Sequence, residues 1–462
     1  MIDVDSVAAL ASDAELSNFS DPRLRARLAT VTRKLAANPA LSFPKVFSSA
    51  ELEGAYRFFG NPRVTTEGIL SGHFERTRGS CDREPSTLVI HDTSTFSFAP
   101  DGAREGLGRV RRKGQAFFAH VSLALSDDGR RRPLGLASLT TWTRGERPAH
   151  DERARWWQSV QMASSRLGGT CKIVHIMDRE ADDYALFARL TEAHHAFVIR
   201  LAHNRILAEL APSEPKKLSD AIAKIECVVQ REASISKRVD GERSPVQKHI
   251  HPSRGKRTAT LSVGATTAIF KRPRTQDRAL PETLSLHVVR VWEQTPLPGE
   301  APIEWLLVTN VCVDSTDAIV RTVERYRARW TIEEYFKALK TGCAFPDRQL
   351  GDYEGLINAL AVFAPIACRL LALRSYAQHD PLTPASSVLE DDEIQVLRVL
   401  GRIPLPPAPS ARDVLLAVAS LGGHIKWSGE PGWLTIGRGY AELELLTRGW
   451  RAAKLQRDCD QG

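Results

Sequence analysis

The chain has little with which to build a cysteine framework. Its seven cysteines (Cys81, Cys171, Cys227, Cys312, Cys343, Cys368 and Cys459) are odd in number, scattered through 462 residues and nowhere spaced as CxxC. That spacing excludes a zinc knuckle and a disulfide scaffold, and predicts reduced, mostly buried thiols. No internal repeat or low-complexity tract is present. No apolar run is read as approaching the roughly 20 residues that a bilayer-spanning helix needs. The opening MIDVDSVAALASDAELSNF is acidic and lacks the basic-then-apolar layout of a secretion signal. These absences predict a cytoplasmic protein with no membrane partner.

What is present is ordinary for a globular chain, 42% hydrophobic and 26% charged, long enough for two to four domains. The net charge is +8, which suits an anionic partner, and its distribution is uneven. Residues 231–278 hold twelve Lys/Arg against four acids, an excess equal to the whole net charge. The segment reads either as a solvated basic loop or as a surface for phosphate backbone.

Residues 21–38 predict a helix with Asp21 as N-cap and Pro22 in its first turn. Leu24, Leu28, Val31 and Leu35 share one face, with Arg23 and Arg27 beside it. A surface helix and a DNA-docking helix fit that pattern equally. Two short helices follow within 47–72, so residues 1–70 read as a small helical domain. From about 84 the order becomes strand (87–98), strand (116–126), strand (132–143), helix (151–167), strand ending at Asp178, helix, strand (195–201). This predicts a mixed α/β sheet flanked by helices. Residues 205–303 read as a β-rich insertion, 304–313 as a buried strand and 315–342 as one long helix. Helical segments broken by IPLPPAPS complete the chain, giving a catalytic region over 71–365 and a helical C-terminal domain over 366–462.

Within the long helix, Tyr326, Arg329, Glu333, Lys337 and Lys340 fall in one stripe at about 100° per residue. In isolation the stripe could be a solvated face with internal ion pairs, but Trp330, Tyr335 and Phe336 crowd the same segment. Asp92 and Asp178 stand at strand positions where apolar runs break. Two such aspartates beside Glu333 form an oxygen-only ligand set that suits Mg²⁺ or Mn²⁺ rather than zinc. Two such ions support in-line phosphoryl transfer. By helical phase Glu334 points about 100° away from the stripe.

The pattern Tyr326-x2-Arg329-x3-Glu333-x6-Lys340, with VIHDTST around Asp92 and MDREADDY around Asp178, resembles DDE-type transposases of the insertion-sequence-4 kind. The resemblance implies an RNase H-like catalytic core with Asp92, Asp178 and Glu333 as catalytic and metal-binding triad, holding two Mg²⁺ (or Mn²⁺) ions. It implies cut-and-paste transposition: nicking of the transposon end, hairpin formation and resolution, then strand transfer into target DNA. Tyr326, Arg329, Lys337, Lys340, Arg179 and Arg200 would meet DNA, and Trp305 would stack on a flipped base. Arg23 and Arg27 would belong to an end-binding domain, and the C-terminal region to a homodimer on transposon-end and target DNA. A metal-dependent nuclease or resolvase without strand transfer is the alternative.

Overall fold

Helices begin where the sequence supplies capping groups. In the computed structural model, which describes residues 7–99, 102–110, 114–144, 152–169, 171–208, 215–238, 253–300, 302–425 and 429–460, α1 (Val7–Glu15) precedes α2 (Pro22–Ala37). Asp21 caps α2 by accepting from the Arg23 backbone N–H, with Pro22 at the first position as expected. Leu28, Val31 and Leu35 are buried, and Leu24 is half-buried. After the short α3 (Phe43–Val46), a Ser48/Glu51 capping box opens α4 (Ser49–Phe59), and Thr65 caps α5 (Thr66–Cys81). The helical region therefore continues to Cys81, and a boundary at 70 falls inside α5.

Next come β1 (Ser86–Phe98), β2 (Gly108–Val110), β3 (Gly114–Ser126), β4 (Pro133–Trp142) and α6 (Glu152–Leu167). Here β3 is antiparallel to β1, β2 and β4, and Asp92 stands opposite Val121. These elements share one unit, Met1–Lys172, with Trp330–Gly462.

The second unit, Ile173–Arg329, holds β5 (Lys172–Met177), a 3-10 turn at Arg179–Ala181, α7 (Tyr184–Glu192), β6 (Ala196–Arg200) and α8 (Leu218–Ala223). It continues through β7 (Val229–Ile235), β8 (Arg257–Lys271), β9 (Thr283–Glu293), β10 (Glu304–Thr309) and α9 (Thr316–Arg327). Its sheet runs β5-β6-β10-β9-β8-β7, parallel between β5 and β6 and antiparallel elsewhere, so the fold class is the expected mixed α/β. The β-rich insertion is continuous with this sheet: β9 pairs along β10, and β8 and β7 follow edge to edge.

The chain returns to the first unit with α10 (Trp330–Lys337), a π-helical turn at Ala338–Gly342, α11 (Tyr353–His379), α12 (Asp391–Leu400), α13 (Ala411–Leu421) and α14 (Trp433–Asp460). The single helix expected over 315–342 is thus broken twice. At Ala328–Arg329 the hydrogen bonds shorten to i→i+3, as Arg329 N–H donates to the Tyr326 carbonyl. At the π turn they lengthen, as Cys343 N–H donates to the Ala338 carbonyl.

The absence of a span-length apolar helix also needs correction. By length and composition α11 could cross a bilayer, yet 89% of its apolar stretch is buried inside the protein, which makes it a core helix. A boundary at 365 falls within it. No disulfide joins Cys81, Cys171, Cys227, Cys312, Cys343 and Cys368, of which Cys227 and Cys312 are exposed and the other four buried.

The first unit's core contains a line of rings that fixes β1. Phe43 stacks on Phe363 of α11, Phe363 meets Phe345, and Phe345 meets Phe96 of β1, with centroids 6.4, 5.9 and 5.5 Å apart. Each such pair adds about 0.5–1.5 kcal/mol beyond its buried area. Arg348 lies over both the Phe43 and Phe363 rings and donates to the carbonyls of Pro39, Leu41 and Cys343. Burial of that guanidinium pulls its pKa down to about 10.

Candidate active site

Alternation along β1 places Asp92, Ser94 and Phe96 on one face and Thr93 on the other. Behind the strand, Thr93 Oγ1 is 2.9 Å from His120 Nδ1, and Ser122 Oγ lies 2.9 Å from His91 Nδ1 and 2.6 Å from Ser138 Oγ. Burial, with the charge of Arg155 adding to it, drives the His120 pKa down to about 3, so the ring is neutral. In front, Asp92 is half-buried and Oδ1 accepts from the Thr93 N–H at 2.9 Å.

Lys340 reaches this front face from the π turn. Its ammonium donates to Ser94 Oγ at 2.8 Å and sits 5.0 Å from the centre of the Phe96 ring. Burial lowers its pKa, while the charge of Asp92 pulls the other way. The extra residue of a π turn rotates the helical positions beyond it, so the phase from Glu333 to Lys340 is not that of a regular helix. Gly437 permits the turn to be covered: a Cβ there would lie 2.3 Å from the Gly342 carbonyl oxygen.

Glu333 and Glu334 have different surroundings. Glu333 is half-buried on α10, which packs against β1. Glu334 is committed elsewhere, accepting from Lys337 Nζ at 2.7 Å and Trp433 Nε1 at 3.0 Å, with Arg374 Nε at 3.6 Å. Burial opposes its charge, but these donors outweigh burial and hold its pKa below the usual carboxylate range. Lys337, assigned to DNA by resemblance, is an exposed residue paired with Glu334. Of the aromatics crowding this segment, Tyr335 and Phe336 are buried and Trp330 is exposed.

The second unit gathers another group of the singled-out residues. Asp178 ends β5, and its Oδ1 accepts from the Glu180 N–H at 2.8 Å, opening the 3-10 turn that bears exposed Arg179. Arg200, at the end of β6, lies 5.7 Å from the Trp305 ring centre and donates to the Glu304 carbonyl. Trp305 meets Tyr326 edge-on at 5.6 Å. Burial raises the Tyr326 pKa, and the charge of Asp178 adds to that rise, while Arg329 and Arg200 oppose it. Arg200 in turn is lowered chiefly by burial, with Arg179 and Arg329 adding to the fall. Asp178, Arg179, Arg200, Trp305, Tyr326 and Arg329 are therefore electrostatic neighbours or ring contacts of one another.

Two residues were not singled out from sequence. Asp182 accepts from the backbone N–H groups of Ala202 and His203 and pairs with Arg205, tying the Asp178 loop to the segment after β6. Its side chain is fully buried, and only that burial separates it from the other acids of MDREADDY. Ser94 is the other, and its distance of two residues from Asp92 on a strand was the available signal.

The basic surfaces are less free than composition implied. Arg257 is held by Glu293 and Glu300, Arg231 by Glu324, and Arg272 by the carbonyls of Arg278 and Leu280. Arg243 and Lys248 lie outside the described residues. On α2, exposed Arg23 pairs with Asp21 and the Arg27 guanidinium lies close over Gly54. Among the described residues, no three His, Cys, Asp or Glu side chains are gathered into a metal-ligating group.

Comparison with known proteins gives this geometry a family context. Residues 7–64 match the transposase DNA-binding family, and residues 151–362 match the transposase DDE domain family. Residues 151–362, a little under half of the chain, are thus similar to transposase DDE domains. Asp178, Tyr326, Arg329, Glu333 and Lys340 fall inside the DDE match, and Asp92 precedes it. The residues matched to the DNA-binding family include Arg23 and Arg27. Among solved structures, a cryo-EM structure of the piggyBac transposase synaptic complex with hairpin DNA is similar, at 9% identity and TM-score 0.37, over 81% of this chain and 73% of that one.

Proposed function

We propose that this chain is a cut-and-paste DNA transposase of the insertion-sequence-4 kind, acting on the DNA of a bacterial cytoplasm. The observation that carries the reading is the DDE domain match over residues 151–362, with Tyr326, Arg329, Glu333 and Lys340 at the family spacing inside it. Asp92, Asp178 and Glu333 are the proposed catalytic triad. All three are half-buried carboxylates, oxygen donors that suit a hard cation better than zinc. Two Mg²⁺ ions (or Mn²⁺ in their place) would activate the attacking oxygen and stabilise the leaving one.

Around those acids, Lys340, Arg329, Arg179 and Arg200 take phosphates flanking the cut, and Trp305 offers a half-exposed ring to an extruded base. The reaction order is end nicking, attack of the new 3′-hydroxyl on the opposite strand to give a hairpin, hairpin opening by water, and joining to target DNA. The active species is a homodimer, each subunit gripping one end and cutting the other.

Asp92→Ala, Asp178→Ala and Glu333→Ala should each abolish Mg²⁺-dependent nicking of a plasmid carrying the genomic segments that flank the coding region. With Fe²⁺ and peroxide in place of Mg²⁺, backbone scission should map near residues 92, 178 and 333. Scission elsewhere, or undiminished nicking by all three variants, overturns the assignment. Pre-cut ends that yield no joined product would favour a plain nuclease.

A further inference from the structure

The ammonium of Lys340 feels the charge of Asp92, but its hydrogen bond goes to a hydroxyl. It emerges from a π turn, a local irregularity that alters the direction of a side chain relative to a regular helix. It comes to rest on β1, where Ser94 Oγ accepts its hydrogen bond at 2.8 Å and the Phe96 ring lies beneath it at 5.0 Å. Ser94 and Phe96 are two and four residues beyond Asp92 on the same face of the same strand. Phe96 is itself fixed by Phe117 and Phe345, with centroids 5.3 and 5.5 Å away. A lysine has four rotatable side-chain bonds and about 2 kcal/mol of rotamer entropy to lose. A ring alone fixes the ammonium's height above the strand, whereas a directional acceptor fixes its position along it.

We propose that Ser94 is a positioning residue of the strand-cutting site: its hydroxyl holds the Lys340 ammonium above the Asp92–Ser94–Phe96 face of β1, where it meets a phosphate of the cut strand. The inference rests on the proposed transposase reading. It adds a residue that acts through Lys340 rather than on DNA. The held ammonium meets the phosphate without first being ordered, so loss of Ser94 slows cutting while DNA binding by the rest of the chain persists.

The test is a double-mutant cycle in the full-length protein, read as single-turnover nicking of the flanking-segment plasmid in Mg²⁺ at saturating protein. Ser94→Ala should slow nicking by about tenfold or more, in line with loss of a hydrogen bond to a charged group. Plasmid affinity and thermal midpoint should stay unchanged. Ser94→Thr keeps the hydroxyl and should stay within about threefold of the parent. Lys340→Ala should slow nicking further, and adding Ser94→Ala to it should cost nothing more. Multiplying losses in the double variant, or failure of Ser94→Thr to rescue a well-folded protein, would overturn the proposal. If Lys340→Ala nicks as fast as the parent, it is instead the proposed function's use of Lys340 that fails.

Discussion

Glu333 and Glu334 are adjacent carboxylates, and the structure predicts that removing their charges has opposite consequences. Glu334 has 18% of its side chain exposed, accepts hydrogen bonds from Lys337 and Trp433, and forms an ion pair with Arg374, which is 15% exposed. Lys337 is 52% exposed, so its pairing is largely screened and contributes under about 1 kcal/mol. The other two dominate. Glu334→Ala strands the Trp433 indole N–H, at about 1–3 kcal/mol for an unsatisfied buried donor, and removes the counter-charge of Arg374. The total is about 2–4 kcal/mol, or a fall of roughly 3–6 °C in the unfolding midpoint of a unit as long as the first. Glu334→Gln should lose less, because its amide oxygen still accepts from Trp433. Glu333→Gln is isosteric and half-exposed, and should move the midpoint by less than about 2 °C while reducing Mg²⁺-dependent nicking by at least about a hundredfold. Differential scanning calorimetry and single-turnover nicking on the same three preparations give both numbers. Full nicking by Glu333→Gln, with nicking lost in a thermally unaltered Glu334→Gln, would refute the assignment.

Two further outcomes concern buried charge. His73 and His120, both in the first unit, are buried, and burial lowers each pKa from 6.5 to about 3. A folded pKa below the unfolded one means that the unfolded chain takes up the proton first. Their stabilisation is complete above pH 6.5 and is lost as pH falls toward 3. At pH 5.5 the loss is on the order of 1 kcal/mol each, roughly 2–3 kcal/mol together, and urea unfolding at pH 7.5, 6.5 and 5.5 should show it. A flat profile down to pH 5 would rule it out. Arg369 is buried between Glu393 and Glu444, at 2.8 and 3.5 Å, so Arg369→Met leaves two buried carboxylates without a cation and should cost about 3–5 kcal/mol. Adding Glu393→Gln and Glu444→Gln should recover most of that in urea unfolding. No recovery would place the cost in packing rather than charge.

What could be read in advance depended on whether the cause was local. Asp21, Pro22 and the Leu28–Val31–Leu35 spacing suffice for α2, and the apolar runs of β1, β3 and β4 for their strands. The breaks around Glu333 have no such local cause. Periodicity continues across Ala328–Arg329, since good helix formers stand on both sides. The π turn is covered by Gly437, whose own Cβ would collide with the Gly342 carbonyl. A contact between residues 95 positions apart leaves no mark on helical periodicity. The engagement of Glu334 by Trp433 and Arg374 is likewise a long-range contact that helical phase does not show. The pairing of cations in the basic segment is equally non-local. Counting cations cannot show that Arg257 is matched by Glu293 and Glu300, which lie 36 and 43 residues further along the chain.

A separate small N-terminal domain was the expectation, yet helices α1–α5 share a unit with β1, Glu333 and Lys340. The connection is specific: Phe43 stacks on Phe363, Phe345 links Phe363 to Phe96, and Arg348 binds the Pro39 and Leu41 carbonyls together with that of Cys343 at the π turn. Residues 7–64 match the transposase DNA-binding family, so under the proposed function a DNA-holding surface and the strand that bears Asp92 would be joined by packed rings and a buried guanidinium. Close-packed interiors transmit displacement rather than absorb it. A substitution at Phe43 or Arg348, far from either proposed chemistry, should therefore disturb the registration between DNA grip and cut. Contacts of the Phe43 and Arg348 kind are where errors in cut position should arise, while nicking itself continues.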